Sequence, residues 1–124
     1  MSRILLVDDD PKLRTMLSTF LKRAGFGIAS QAADGAEALG MMQGVELVIT
    51  DCQMPNMDGI TFVRTLRAQG QAMPVIMLSG QNDPGLIQTA LMAGVNQYIE
   101  KPLKPLSLIE TIRGLMQDRQ AIAA

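Results

Sequence analysis

The sequence predicts an α/β fold in which a parallel β-sheet carries helices on both faces. Short apolar runs alternate with amphipathic segments along the 124 residues, and four of these runs end at residues suited to phosphoryl chemistry. Runs of about four to eight aliphatic residues bounded by turn signals are typical of strands buried on both faces. Strands that alternate with helices in this way favour repeated βα units and a parallel sheet.

Five runs are predicted to be strands. Four of them lie at 4–7, 47–50, 75–78 and 95–99, and a weaker fifth at 27–32 is expected at an edge of the sheet. The carboxyl ends of parallel strands meet at one edge of an open sheet, where ligands bind. We therefore expect the polar residues that follow these runs to converge in a single cleft.

Those polar residues are three carboxylates, a hydroxyl and an ammonium group. Asp8 and Asp9 follow one run, and Asp51, Ser79 and Lys101 follow three others. Two like charges about 4 Å apart repel by about 4 kcal/mol at an effective dielectric constant of 20. A hard divalent cation removes this conflict, and Mg²⁺ suits a site with few protein carboxylates because it keeps several waters. The sequence therefore predicts a magnesium site.

Five amphipathic segments are predicted to be helices. Aspartates suited to N-capping precede the first four, and glycines suited to ending a helix follow them. The N-cap candidates are Asp10, Asp34, Asp58 and Asp83, and the stop signals are Gly25, Gly44, Gly70 and Gly94. The last helix is expected to begin near Pro105. Asp10 is expected to act only as a cap.

Composition excludes several classes of function. The length is near that of a typical single domain, so residues 1–124 are expected to form one domain without an output domain. Histidine is absent, which excludes autophosphorylation on histidine, a Ser-His-Asp triad and a histidine zinc site. Cys52 is the single cysteine, which excludes an internal disulfide and fits a cytoplasmic protein.

Charge and hydropathy narrow the range of partners. The net charge is −1 without a basic cluster, so no direct nucleic-acid contact is expected. The apolar runs fall short of the ~18 residues of a membrane span, so no membrane partner is expected. No charged residue occurs from Pro84 to Ile99, where Leu86, Ile87, Ala90 and Leu91 are predicted to face inward. The residues expected on its exposed surface, a candidate docking or dimer face, are Gln88, Thr89, Met92, Asn96 and Gln97.

The candidate nucleophile is Asp51. A carboxylate that attacks a phosphoryl donor forms an acyl phosphate. The reaction needs charge neutralisation at the equatorial oxygens more than it needs an acid or a base. Lys101 can supply part of that charge, and Ser79 can donate a hydrogen bond to the phosphoryl group.

Four stretches of the chain resemble the receiver domain of bacterial two-component response regulators, the CheY-like family. They read LLVDDD at 5–10, DCQMPNMDG at 51–59, LSG at 78–80 and EKPL at 100–103. The resemblance covers essentially the whole chain. It implies a flavodoxin-like, doubly wound sheet of five parallel strands in the order 2-1-3-4-5, with five helices.

The resemblance also implies roles for the acidic residues. Asp51 is expected to be the phosphoacceptor, which takes a phosphoryl group from a histidine kinase or a phosphotransfer protein. Asp8 and Asp9 are expected to hold Mg²⁺ together with Asp51, and the backbone carbonyl of Gln53 is expected to be a further ligand. The implied function is a signalling switch that takes part in its own phosphorylation and dephosphorylation, not an enzyme.

The remaining roles concern the readout of phosphorylation. Ser79 matches the switch hydroxyl, Tyr98 the switch aromatic and Lys101 the phosphate-contacting lysine, and the Lys101–Pro102 peptide is expected to be cis. The switch is expected to remodel the face made by the fourth helix, the fifth strand and the fifth helix. A downstream target protein or a second copy of the chain is expected to bind there.

Three other classes of protein share part of this chemistry or fold. A haloacid-dehalogenase-type phosphatase needs a second aspartate two positions after the nucleophile, where this chain has Gln53. A flavin-binding domain needs a phosphate loop rich in Ser, Thr or Gly after the first strand, where this chain has three acids. A phosphorylation-independent interaction module of the same fold stays open, although such a module has no need of the polar cluster.

Overall fold

A computed structural model of the protein describes residues 3–123, in which five strands alternate with five helices. The strands are β1 (Arg3–Val7), β2 (Gly27–Ala32), β3 (Leu47–Asp51), β4 (Val75–Ser79) and β5 (Gln97–Glu100). The helices are α1 (Pro11–Arg23), α2 (Gly35–Leu39), α3 (Gly59–Ala68), α4 (Pro84–Ala93) and α5 (Pro105–Ala123). Among the described residues, none of these helices combines the length and the apolar character needed to cross a membrane.

The five strands form one parallel sheet in the order β2-β1-β3-β4-β5. This order confirms the predicted flavodoxin-like fold and the edge position of β2. The register aligns the carboxyl ends of the strands. Val7 lies opposite Thr50, and Ser79 lies opposite Glu100, so the loops that follow β1, β3, β4 and β5 leave the sheet at one edge.

The sheet separates two apolar cores because alternate residues of each strand point to opposite faces. Leu5 and Val7 of β1 belong to the core that includes Phe62 of α3 and Ala90 of α4. The intervening residues of β1 belong to the core on the other face, which α1 and α5 cover through Leu17, Leu21, Leu108 and Ile112. This arrangement confirms that helices lie on both faces of the sheet.

The predicted N-caps are all confirmed. The carboxylates of Asp10, Asp34, Asp58 and Asp83 accept hydrogen bonds from the amides of Lys12, Glu37, Thr61 and Leu86, respectively. Each bond satisfies an amide that has no partner inside its own helix. At the other end of α4, Gly94 has a φ of +115°, a left-handed conformation that favours glycine.

Two predicted boundaries differ from the structure. The second helix was expected to continue to Gly44, but α2 ends at Leu39 because the amide of Gly40 already bonds back to the carbonyl of Glu37 in a tighter turn. The fifth strand was expected to begin at Val95, but β5 begins at Gln97. The amide of Val95 bonds to a carbonyl in the last turn of α4 and so completes the end of that helix.

The surfaces of α4 and β5 differ in part from expectation. As a strand at the edge of the sheet, β5 is not buried on both faces. Leu91 was expected to face inward, but it is 43% exposed. Met92 is 79% exposed, and the other uncharged residues expected at the surface of this segment are exposed as well. The described surface of α4 is therefore uncharged and partly apolar.

Candidate functional site

Three carboxylates meet at the carboxyl edge of the sheet. Asp8 and Asp9 directly follow β1, and Asp51 is the last residue of β3, the neighbouring strand. One carboxylate oxygen from each of these residues lies within 4.8 Å of the other two. The group is called the acidic cluster below.

Lys101 faces the acidic cluster from the loop after β5. Its Nζ atom lies 3.5 Å from Oδ1 of Asp51 and 3.7 Å from Oδ2 of Asp8. The loop is held in place because the amide of Lys101 donates to the carbonyl of Ser79, and the Lys101–Pro102 peptide is cis, as expected. Among the described residues, the Lys101 ammonium therefore pairs with two of the three carboxylates, and the acidic cluster has more acidic groups than this cation can neutralise.

Asp8 experiences this excess most directly. Its side chain is almost fully buried, and one carboxylate oxygen accepts the amide of Asp10 at 2.8 Å. Burial is the main cause that raises the pKa of Asp8, and the charges of Asp51 and Asp9 add to it. The amide of Asp10 and the ammonium of Lys101 oppose the rise without cancelling it. Burial and, to a smaller extent, the neighbouring carboxylates therefore disfavour the charged form of Asp8.

The donor set of the acidic cluster fits a hard divalent cation. The groups that converge are carboxylate oxygens, which Mg²⁺ prefers over nitrogen or sulfur ligands. Three closely spaced carboxylates with one ammonium also need a further positive charge. Gln53, the proposed source of a backbone ligand, is exposed in the loop two residues after Asp51.

Asp51 is both fixed and reachable. Its Oδ1 atom accepts the amide of Cys52 at 2.8 Å, and its side chain is 14% exposed. The neighbouring thiol is a poor competitor as a nucleophile. Burial, followed by the charges of Asp51 and Asp58, raises the pKa of Cys52, so the thiol stays protonated at neutral pH.

Ser79 and Tyr98 are connected through one residue of the loop after β4. The Ser79 hydroxyl, almost fully buried, accepts the amide of Gln81 at 3.1 Å. The Tyr98 hydroxyl donates to the carbonyl of the same Gln81 at 2.8 Å. A displacement of Gln81 would therefore alter the surroundings of both predicted switch residues.

One residue of the site had no signal in the sequence. The guanidinium of Arg14, on α1, donates from Nη1 to the backbone carbonyl of Asp8. Its Nε atom is buried and has no hydrogen-bond partner among the described residues. The sequence around Arg14 indicates only an amphipathic helix, and the hydrogen-bond partner of Arg14 is a backbone atom. No sequence motif therefore marks Arg14 as part of the site.

The chain matches the family model for the response regulator receiver domain over residues 4–113. Since this match spans most of the 124 residues, the protein belongs to the response regulator receiver domain family. Members of this family are signalling domains rather than classical enzymes. The fold and the acidic cluster agree with this assignment.

A curated relative is the DNA-binding response regulator MtrA of Mycolicibacterium smegmatis, which is 37% identical over 117 residues. The alignment covers 93% of this chain and 50% of the relative. The chain thus spans about half the length of that protein.

Solved structures show the same fold. A CheY-like receiver domain protein from Methanospirillum hungatei superposes with a TM-score of 0.91 at 27% identity, with 98% of each chain covered. The chemotaxis protein CheY4 of Vibrio cholerae has a TM-score of 0.86 at 34% identity and covers 93% of this chain and 98% of its own. CheY in a CheX–CheY–BeF₃–Mg²⁺ complex from Borrelia burgdorferi has a TM-score of 0.86 at 28% identity, covering 93% of this chain and 89% of that one.

Proposed function

We propose that this protein is a phosphoacceptor switch of a two-component system or phosphorelay, in which Asp51 receives the phosphoryl group. The donor is a phosphohistidine of a histidine kinase or of a phosphotransfer protein. The observation that carries the proposal is the geometry around Asp51. Its carboxylate is partly exposed, lies 3.5 Å from the Lys101 ammonium, and shares the acidic cluster with Asp8 and Asp9.

In the transfer step, a carboxylate oxygen of Asp51 attacks the phosphorus of the phosphohistidine. A P–O bond forms and the P–N bond breaks, and the departing imidazole keeps the electron pair and takes up a proton from solvent. Lys101 stabilises the negative charge that spreads over the phosphoryl oxygens. Mg²⁺, bound by Asp8, Asp9, Asp51 and the Gln53 carbonyl, would neutralise the rest of that charge. Attack by water on the phosphorus of the acyl phosphate breaks its bond to the Asp51 oxygen, releases inorganic phosphate and resets the switch.

The readout begins at Ser79. Its hydroxyl moves toward Asp51 and donates a hydrogen bond to a phosphoryl oxygen there. Because the Gln81 amide bonds to the Ser79 hydroxyl, this movement also displaces the loop that carries Gln81. Because the Gln81 carbonyl also accepts the hydroxyl of Tyr98, the tyrosine changes its surroundings. The face made by α4, β5 and α5 then presents a different surface to a target protein or to a second copy of the chain.

The chemistry is tested by intact-protein mass after incubation with a small acyl phosphate donor, with and without Mg²⁺. Wild type should gain one labile phosphoryl group only with Mg²⁺, and Asp51→Asn should gain none. Asp58→Asn is the matched control, because Asp58 lies in the same loop and serves as the α3 cap. No gain in wild type under any condition would instead favour the phosphorylation-independent module.

The switch is tested by tyrosine fluorescence. The chain has one tyrosine and no tryptophan, so the signal reports on Tyr98 alone. Phosphorylation should change the emission of wild type. Ser79→Ala should be phosphorylated to a similar extent by mass but show a much smaller change in emission. Equal changes in both proteins would contradict the role of Ser79.

A further inference from the structure

Residues 52–58, which follow Asp51, form a loop that is called the acceptor loop below. A hydrogen bond between two side chains connects this loop to the start of α2. Nδ2 of Asn56 donates to Oδ2 of Asp34 at 2.8 Å, across 22 positions of sequence. Oδ1 of Asp34 accepts the amide of Glu37 at 2.8 Å, so each oxygen of this carboxylate has a different task. One oxygen caps α2, and the other holds the acceptor loop.

The backbone around this pair is also constrained. Asn56 has a φ of +67°, a left-handed conformation that few residues other than Gly and Asn adopt readily. The amide of Gly35 donates to the carbonyl of Met57 at 3.1 Å. A Cβ atom on Gly35 would lie 2.8 Å from Cβ of Phe62, so only glycine permits this close approach. The acceptor loop and the first turn of α2 therefore pack directly against each other.

A second bond closes the acceptor loop on itself, because the amide of Gly59 donates to the carbonyl of Cys52 at 2.8 Å. Gln53 lies between that closure and the anchor at Asn56. The path of the backbone at Gln53 is therefore set from both sides, by a backbone bond at one end and by the side chain of Asp34 at the other.

We propose that Asp34 and Asn56 are positioning residues for the magnesium site. Their hydrogen bond holds the acceptor loop in the shape that lets the backbone carbonyl of Gln53 complete the ligand set of the acidic cluster. This inference rests on the function proposed above and assigns to α2 a part in it. Partners that orient a metal ligand from behind commonly change metal affinity by about 10- to 100-fold when removed.

The strength of the bond supports this role. The Asn56 amide is the largest influence on Asp34, and it lowers the pKa of that carboxyl; the amide of Glu37 acts in the same direction. Asp34 is therefore ionised at neutral pH. A hydrogen bond to an ionised acceptor is about twice as strong as one between neutral groups. The anchor is thus stronger than a typical loop contact.

Two single variants remove the bond and spare the local structure. Asp34→Ser keeps an N-cap oxygen for α2 but has no second oxygen for Asn56. Asn56→Gly removes the donor and tolerates the positive φ at that position. The double variant Asp34→Asn with Asn56→Asp exchanges donor and acceptor and keeps the net charge, so it should restore the bond.

The control is Asp83→Ser, which makes the same change at the cap of α4, where the carboxylate accepts the amide of Leu86. Mg²⁺ affinity is measured by calorimetry, and the phosphorylation rate with an acyl phosphate is measured against Mg²⁺ concentration. Both single variants should raise the Mg²⁺ dissociation constant about tenfold and leave the rate at saturating Mg²⁺ within about twofold. The double variant and the control should stay near wild type.

Unchanged Mg²⁺ affinity in a folded single variant would overturn the inference, as would a lower saturating rate in place of a lower affinity. Failure of the double variant to recover affinity would also overturn it. If Asp34→Ser does not fold, Asn56→Gly carries the test, because it leaves the α2 cap intact. Wild type that binds no Mg²⁺ would overturn both this inference and the proposed function, whereas binding by wild type with unchanged variants would overturn the inference alone.

Discussion

Two regions of this molecule bury charge in opposite ways. Arg67 lies near the end of α3, and its Nη atoms donate four hydrogen bonds of 2.8–3.1 Å. The acceptors are the carbonyls of Gln71, Met73 and Gly94 and the side-chain oxygen of Asn96. Asn96 in turn accepts the amide of Val75 at the start of β4. The cation is thus surrounded by oxygen atoms that the fold itself supplies.

The acidic cluster lies at the other end of the strands and is not balanced in this way. Lys101 is the cation paired with Asp8 and Asp51 among the described residues. Burial disfavours the charged form of both groups, since it raises the pKa of Asp8 and lowers the pKa of Arg67, but at Asp8 the like charges of Asp51 and Asp9 add to that effect. At Arg67, where only stability is needed, the fold itself supplies the hydrogen-bond partners of a partly buried charge. It leaves negative charge in excess where a cation and a phosphoryl group are to bind.

The largest effect on stability is expected from removing the Arg67 side chain and its hydrogen bonds. Arg67→Ala should lower the free energy of unfolding by about 3 kcal/mol, because three partly buried carbonyl oxygens and the side-chain oxygen of the exposed Asn96 lose a charged donor at once. Urea denaturation measures the loss. Arg67→Lys, which lacks the planar fork of donors, should lie between Arg67→Ala and wild type. A loss below about 1 kcal/mol in Arg67→Ala would show that the network has little weight.

A change of opposite sign is expected in the acidic cluster. Asp8→Asn should raise the free energy of unfolding without Mg²⁺ by on the order of 1 kcal/mol, because it removes a carboxylate whose charge is disfavoured chiefly by burial and further by the charges of Asp51 and Asp9. The variant keeps an oxygen for the amide of Asp10. Asp10→Asn is the control, since its exposed carboxylate serves as a cap. Destabilisation by Asp8→Asn in the absence of Mg²⁺ would contradict the excess of negative charge.

A smaller effect is expected at Tyr98, between these two regions. Tyr98→Phe should cost about 0.5 kcal/mol in urea denaturation, since it removes one hydrogen bond to the exposed Gln81, whose carbonyl water can reach. A loss of unfolding free energy above about 2 kcal/mol would indicate that the Tyr98 hydroxyl is part of the structural core. Such a result would argue against the proposal that Tyr98 changes its surroundings on phosphorylation.

The smallest effect is a pH dependence at Asp34. Its folded-state pKa is lowered, so it stabilises the fold above the unfolded pKa of 3.8, and this contribution is lost as the pH falls through the lower folded value. Asn56→Gly removes the main cause of the shift. The difference in unfolding free energy between wild type and Asn56→Gly should therefore narrow as the pH falls from above 3.8 through the lowered pKa of Asp34 in the folded protein. A difference that stays constant over this range would contradict the assignment of the shift to Asn56.

Sequence patterns predicted what depends on local chemistry. The strand runs, the four aspartate caps and the alternation that places helices on both faces each follow from a few neighbouring residues. The convergence of Asp8, Asp9, Asp51 and Lys101 followed from one topological fact, that parallel strands end at one edge. The resemblance to receiver domains supplied the strand order, which local patterns did not determine.

Contacts between distant segments could not be predicted. Arg67 bonds mainly to backbone carbonyls, which are present at every position and so leave no trace in the sequence, and one of them, that of Gly94, lies 27 residues away. The bond between Asp34 and Asn56 joins two turns whose residues are each explained locally as a cap and a loop residue. The predicted start of β5 was wrong because the amide of Val95 bonds to a carbonyl at the end of α4, and the apolar pattern of the sequence does not indicate this bond.

We expect a divalent cation to relieve the excess of negative charge in the acidic cluster. This claim is tested by the free energy of unfolding of wild type and Asp8→Asn as the MgCl₂ concentration is raised at constant ionic strength. Wild type should gain stability with the logarithm of Mg²⁺ concentration, by about 2.7 kcal/mol at one hundred times the dissociation constant, and Asp8→Asn should gain little. No gain in wild type, or an equal gain in Asp8→Asn, would contradict the claim.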